Sequence, residues 1–330
     1  MKKYILNYYV PDLVRFDKKQ YNGRGWSTSF EPAQDYVKSP PLVDWSFDDG
    51  DEVIPGGPVM VVVIHARDYA VACRAARLII AAHCLLEGST LLLPSDDLIP
   101  YPADGEQEDE LDEVRLMRVR ATGFLVDDTP LACMIASRAS HRRSSVFAVF
   151  KLLWSLQMYS TVIVDLDPHL SSTVLRKVRT PEECIRFAQA ITLAYGAIEE
   201  LGLTVQASQQ KPSRPCGNWN PEVREDLEKR LRKAGVDLTD PMLWTLRGPK
   251  TRLEQGRPTK NLGRASWACG KVRDEDVDIC DAIADISWLR SRVSAHKSSE
   301  LVDLLSPYDV ANAQYLARRL ILDALRIPRE

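Results

Sequence analysis

The run Trp288-Leu289-Arg290-Ser291-Arg292-Val293-Ser294-Ala295-His296 closes a longer apolar repeat, Val277, Cys280, Ile283, Ile286 and Leu289. Spacings of three recur along that repeat, the period of a helix with one buried side. The pattern predicts a helix over 274–295 that carries two arginines just ahead of a histidine. Histidine changes charge near neutral pH and can give or take a proton. Arginine stays cationic and holds phosphate oxygens with a planar fork. Together they suit phosphodiester cleavage, with His296 moving protons and Arg290 and Arg292 steadying the charge that builds on phosphorus. At about 100° per residue, Arg292 and His296 share a helix face, whereas Arg290 and His296 stand roughly 120° apart. The same residues also fit a surface arginine pair followed by a helix-end histidine beside Lys297.

The flanks read as further helices. Thr180-Pro181-Glu182-Glu183 has a Thr cap, Pro at the first helical position and Glu at capping-box spacing. Ile185, Ala188, Ile191, Ala194 and Ile198 then point toward a core. Glu199 and Glu200 sit near the end of this segment, against the macrodipole preference. They either pair with arginines such as Arg290 or Arg292 or lie exposed. Pro221 opens a helix ending near Gly235, with Leu227 and Leu231 as core points. Asp240-Pro241 predicts a short helix containing Met242, Leu243, Trp244 and Leu246. Ser306-Pro307 opens the last helix, which Pro328 ends.

Arginine, five intervening residues and histidine in the penultimate helix of a small bundle resembles the HEPN family. Ser291 matches that family's polar residue directly after the arginine. Ser306–Leu325 resembles its closing helix and Glu182–Leu203 its opening one. The resemblance covers residues 176–330 and leaves the first part of the chain unassigned. It implies a helical bundle and metal-independent cleavage of RNA, with no cofactor, through attack of the 2′-OH on the adjacent phosphate. It implies a homodimer with two motifs facing one cleft, a toxin or phage-defence setting, and Glu199 as a site member. Some members have lost catalysis, so a helical adaptor or nucleic-acid-binding subunit remains the alternative.

The net charge of −3 argues against wholesale coating of nucleic acid, so any such site must be a local patch. Residues 211–273 hold 15 Lys and Arg against 7 Asp and Glu. Within them, Arg247, Lys250, Arg252, Arg257, Lys260 and Arg264 form an RNA-tracking segment or, equally, a solvated charged surface. Seven cysteines without a CxxC pair read as reduced core residues, which implies a cytoplasmic protein with no metal site. The N-terminus lacks a long apolar segment, and Val59–Ile64 and Leu78–Ala82 are too short to span a membrane.

The first part of the chain mixes strand and helix patterns. Tyr4–Val10 and Val59–Ile64 read as strands, and Leu91–Leu93 and Val114–Arg120 as further ones. Asp68 caps a helix that runs to Leu86 and stops at Gly88. Residues 127–157 shift to helix. They include a basic, hydroxyl-rich patch with Arg138, His141, Arg142 and Arg143, then an aromatic face of Phe147, Phe150, Leu153, Trp154 and Leu156. The patch is either a phosphate-contact surface or a helix junction. Val162–Pro168 resembles the first motif of haloacid-dehalogenase-like phosphatases, with Asp165 and Asp167 as nucleophile and proton carrier beside magnesium. His169 departs from that motif, and Asp167-Pro168 fits a turn or helix cap better. The fold expected is α+β: a small α/β module over 1–125, a helical connector over 126–175, and an HEPN-like bundle over 176–330. The N-terminal module would receive a protein partner or activator.

Overall fold

The structure, a computed structural model, describes residues 1–11, 20–32, 35, 59–88, 101–102, 129–159, 180–205, 219–247, 272–295 and 305–328. The architecture is α+β, with an antiparallel sheet near the N-terminus and mostly helix toward the C-terminus. It divides into two units, residues 1–87 with 91–146, and residues 88–90 with 147–330.

The first unit holds β1 (Lys2–Pro11), β2 (Gln20–Gly23), β3 (Trp26–Pro32), β4 (Val59–Ala66), α1 (Tyr69–Glu87), β5 (Tyr101–Pro102) and α2 (Thr129–Ser140). The strands form one sheet in the order β2-β3-β4-β1-β5, antiparallel throughout. β4 lies in its middle, and Val61, Val62, Val63 and Ile64 are all buried. Both faces of this strand are therefore covered, as its unbroken β-branched run requires. The β2–β3 turn is Arg24-Gly25, with Gly25 at φ 82°, a left-handed conformation that glycine adopts without strain. Asp68 caps α1 by accepting the Val71 N–H at 2.9 Å, and Ala72, Ala75, Ala76, Ile79 and Ile80 are buried. By length and composition α1 could cross a membrane, but 72% of its apolar window is buried, as in a core helix.

Of the connector expected over 126–175, the structure describes residues 129–159. α2 packs on α1 and β2 within the first unit, because its Ala132, Cys133, Ile135, Ala136 and Ala139 make a continuous buried side. α3 (Arg143–Met158) follows. Its aromatic residues do not form one inward face. Phe147 and Trp154 are 45% and 53% exposed, seven residues apart on one stripe, while Ala148, Val149, Leu152, Leu153 and Leu156 are buried.

The second unit continues with α4 (Pro181–Glu200), α5 (Pro221–Ala234), β6 (Met242–Arg247), β7 (Val272–Val277), α6 (Ile279–Ala295) and α7 (Pro307–Ala324). α4 packs against both α6 and α7. Its capping box is formed as the sequence predicts, with Thr180 and Glu183 bonded reciprocally. Cys184, Phe187, Ile191, Ala194, Tyr195 and Ile198 are buried, whereas Ile185 is 45% exposed. The buried stripe is thus rotated by one residue at its start, where Cys184 and Phe187 take the place expected for Ile185 and Ala188. α5 ends at Gly235 and buries Leu227 and Leu231. A second capping box, Ser306 with Asp309, opens α7.

The helix expected after Asp240-Pro241 is a strand. Met242–Arg247 pairs antiparallel with Val272–Val277, in a register running from Met242↔Val277 to Arg247↔Val272. Met242 and Trp244 turn inward and Leu243 outward, the two-residue period of a strand. The helix expected over 274–295 accordingly begins at Ile279, because the residues up to Val277 belong to β7. Asp278 caps it, accepting the Cys280 N–H at 2.8 Å. Asn312 of α7 grips the ribbon as a further strand would. Its Oδ1 accepts the Thr245 N–H at 3.1 Å, and its Nδ2 donates to the Thr245 carbonyl at 2.8 Å. Arg319, buried, donates to the carbonyls of Asp240 and Pro241 at 2.7 Å each and so fixes the entry to β6.

Candidate functional site

α6 presents its two arginines in different directions. Residues two apart on a helix stand about 200° apart, and the contacts follow that geometry. The Arg290 guanidinium lies over the Tyr195 ring of α4, 5.7 Å from its centroid, and reaches Glu199 Oε1 at 3.9 Å. Arg292 instead lies over Trp288 on its own helix, 5.3 Å from the ring centroid. The structure therefore joins Arg290 with Glu199, two of the predicted site residues, and does not bring Arg292 to them. His296 lies outside the described residues.

Tyr195 and Glu199 are four residues apart on α4, and Ser287 and Arg290 three apart on α6, so each pair shares a helix face. The Tyr195 hydroxyl donates to Ser287 Oγ at 3.2 Å, which ties the two faces together one turn ahead of Arg290. Sequence reasoning does not single out Tyr195 or Ser287. The signal was nonetheless present, since a tyrosine on a buried helix face needs a partner for its hydroxyl.

The Arg290 and Glu199 side chains are 39% and 42% exposed, so their ion pair is solvated and weak. Among the described residues, the guanidinium has no polar partner closer than this 3.9 Å ion pair. Glu200, the neighbour of Glu199, turns to the other side of α4 and pairs with Lys151 of α3 at 2.7 Å. The Lys151 side chain runs beside Gly196, where a Cβ would meet its Cδ at 3.4 Å. The two glutamates at the end of α4 are thus each matched to a cation on a different helix, which offsets the unfavourable macrodipole position.

Of the predicted RNA-tracking residues, Arg247 ends β6 opposite Val272. Lys250, Arg252, Arg257, Lys260 and Arg264 lie outside the described residues, as do Asp165, Asp167 and the strands expected at 91–93 and 114–120. At the basic patch between α2 and α3, three side chains reach the β2–β3 hairpin. Ser140 Oγ accepts the Arg24 N–H at 2.8 Å, the Ser137 hydroxyl donates to the Asn22 carbonyl, and His141 Nε2 lies 3.4 Å from that same carbonyl. These groups clasp the β2–β3 hairpin. Burial pushes the thiols of Cys84, Cys133 and Cys280 up to about 12, so they are protonated and unreactive at neutral pH. Comparison of the chain with family models, with curated proteins and with solved structures found no match.

Proposed function

We propose that this chain is an HEPN-like, metal-independent endoribonuclease. The observation that carries the reading is Arg290. It stands on the penultimate helix against the helix that resembles the family's opening one, half-exposed, and among the described residues Glu199 is its one carboxylate partner. In this reading the RNA 2′-OH attacks the neighbouring phosphate and the 5′-oxygen leaves. Arg290 binds the non-bridging oxygens and stabilises the charge they gain. His296 carries the proton to or from the reacting oxygens. Arg292, directed elsewhere, contributes to binding rather than to the reacting phosphate. Glu199 acts as the counter-charge of Arg290 in the absence of RNA. A homodimer would bring two such motifs to one substrate.

The test is incubation of purified protein with defined RNA in excess EDTA, beside Arg290→Ala and His296→Ala. Cleavage by the wild type, leaving 2′,3′-cyclic phosphate ends and reduced at least a hundredfold in either variant, supports the reading. Cleavage that survives both substitutions removes it. A second reading, a non-catalytic helical adaptor, draws on the fact that the Arg290 contacts to Tyr195 and Glu199 also hold α6 to α4. It expects no cleavage by any form, with Arg290→Ala lowering stability.

A further inference from the structure

We propose that Tyr195 is a positioning residue for Arg290, holding the guanidinium in register for an incoming phosphate without consuming its hydrogen-bond donors. This inference rests on the reading of Arg290 as the phosphate-binding group. The Tyr195 ring is buried while the guanidinium above it is half-exposed. A ring face attracts a cation through its quadrupole, and the attraction strengthens where water is excluded. Stacking on a ring takes up none of the guanidinium N–H donors, and among the described residues the nearest carboxylate oxygen is 3.9 Å away, beyond hydrogen-bond distance. The ring cannot slide, because its hydroxyl is anchored to Ser287 Oγ at 3.2 Å. Ser287 lies one turn before Arg290 on the same helix, so the anchor and the held group belong to one rigid element. Arginine has a long, rotatable stem, and fixing it beforehand removes ordering that phosphate binding would otherwise have to supply.

The contributions of ring and hydroxyl separate in Tyr195→Phe, which keeps the face, and Tyr195→Leu, which keeps apolar bulk alone. The first readout is the Nε–Hε resonance of Arg290, assigned by its loss in Arg290→Ala. A guanidinium held over a ring is shielded. The resonance is expected upfield of other arginines in the wild type, retained in Tyr195→Phe and lost in Tyr195→Leu. The second readout is RNA cleavage in EDTA. Tyr195→Leu is expected to lower kcat about tenfold with KM within about twofold, as for a group aligned in the transition state. Tyr195→Phe stays within about twofold of wild type, and Tyr195→Leu adds nothing in an Arg290→Ala background. The proposal is overturned if the wild-type resonance sits among those of unstacked arginines, a result that needs no variant to fold. It is also overturned if Tyr195→Leu lowers the residual activity of Arg290→Ala as much as it lowers the wild type, the mark of a general packing defect. If the wild type cleaves no RNA, the ribonuclease reading fails, while the resonance still decides whether Tyr195 holds Arg290.

Discussion

At the scale of single residues, the proposed chemistry turns on how Arg290 would be shared between protein and ligand. Glu199 stands 3.9 Å from that cation in a solvated setting, so under the proposed reading it would compete with an incoming phosphate. Such pairs contribute about 0.2–1 kcal/mol. Glu199→Gln is therefore expected to tighten RNA binding by roughly 1.5- to 5-fold at low salt, measured by fluorescence anisotropy. Unchanged binding together with a collapse of kcat would instead make Glu199 a proton-handling group. The sequence contained half of this arrangement. Two glutamates at a helix C-terminus are an electrostatic anomaly that asks for cations, and Arg290 and Lys151 supply them. The divergence of Arg290 from Arg292 was legible too, since it follows from helical rotation alone. That Tyr195 lies beneath Arg290 was not, because the rotational phase between α4 and α6 is set by packing.

Among the elements, local signals and non-local ones fared differently. Caps are written in four residues, and Thr180 with Glu183, Asp68, and Ser306 with Asp309 all cap as their chemistry dictates. The β6–β7 ribbon is non-local, since its two strands are separated by 24 residues. Asp240-Pro241 resembles a helix start, and Met242, Leu243 and Trp244 are all apolar, so no local alternation betrays a strand that needs a distant partner to exist. The ribbon is fastened at its β6 edge by Asn312, whose side chain serves one N–H and one C=O of Thr245. Asn312→Ala removes both partners from a buried position. It is expected to cost about 2 kcal/mol, since each group loses its bond without easy access to water. Thr180→Ala, at an exposed cap, is expected to cost about 1 kcal/mol. Chemical denaturation of the two variants side by side checks the order, and a smaller loss for Asn312→Ala would show that the ribbon holds by side-chain packing alone.

For the whole molecule, the cysteines set a limit at alkaline pH. Three thiols are raised by burial from 9.0 to about 12. Below about pH 9 they are protonated in both the folded and unfolded chain, and stability does not depend on them. Above it the unfolded chain releases protons that the native chain keeps. The native state is then disfavoured progressively as pH climbs toward 12. Thermal unfolding followed from pH 7 to pH 11 should show a falling midpoint beginning near pH 9, reduced by Cys84→Ala. A midpoint flat through pH 11 would mean that these thiols ionise in place. The ribbon has a different consequence for the whole chain. Opposed residues in an antiparallel pair lie about 5 Å apart, so Arg247 and Val272 return the chain almost to where it left. Whatever stretch of chain is spliced between them, the bundle meets the same two ends at the same separation. Lengthening such a closed excursion is cheap in entropy, about 0.6 kcal/mol per doubling. The pairing thus makes this junction a place where added sequence leaves the separation of the two strand ends unchanged.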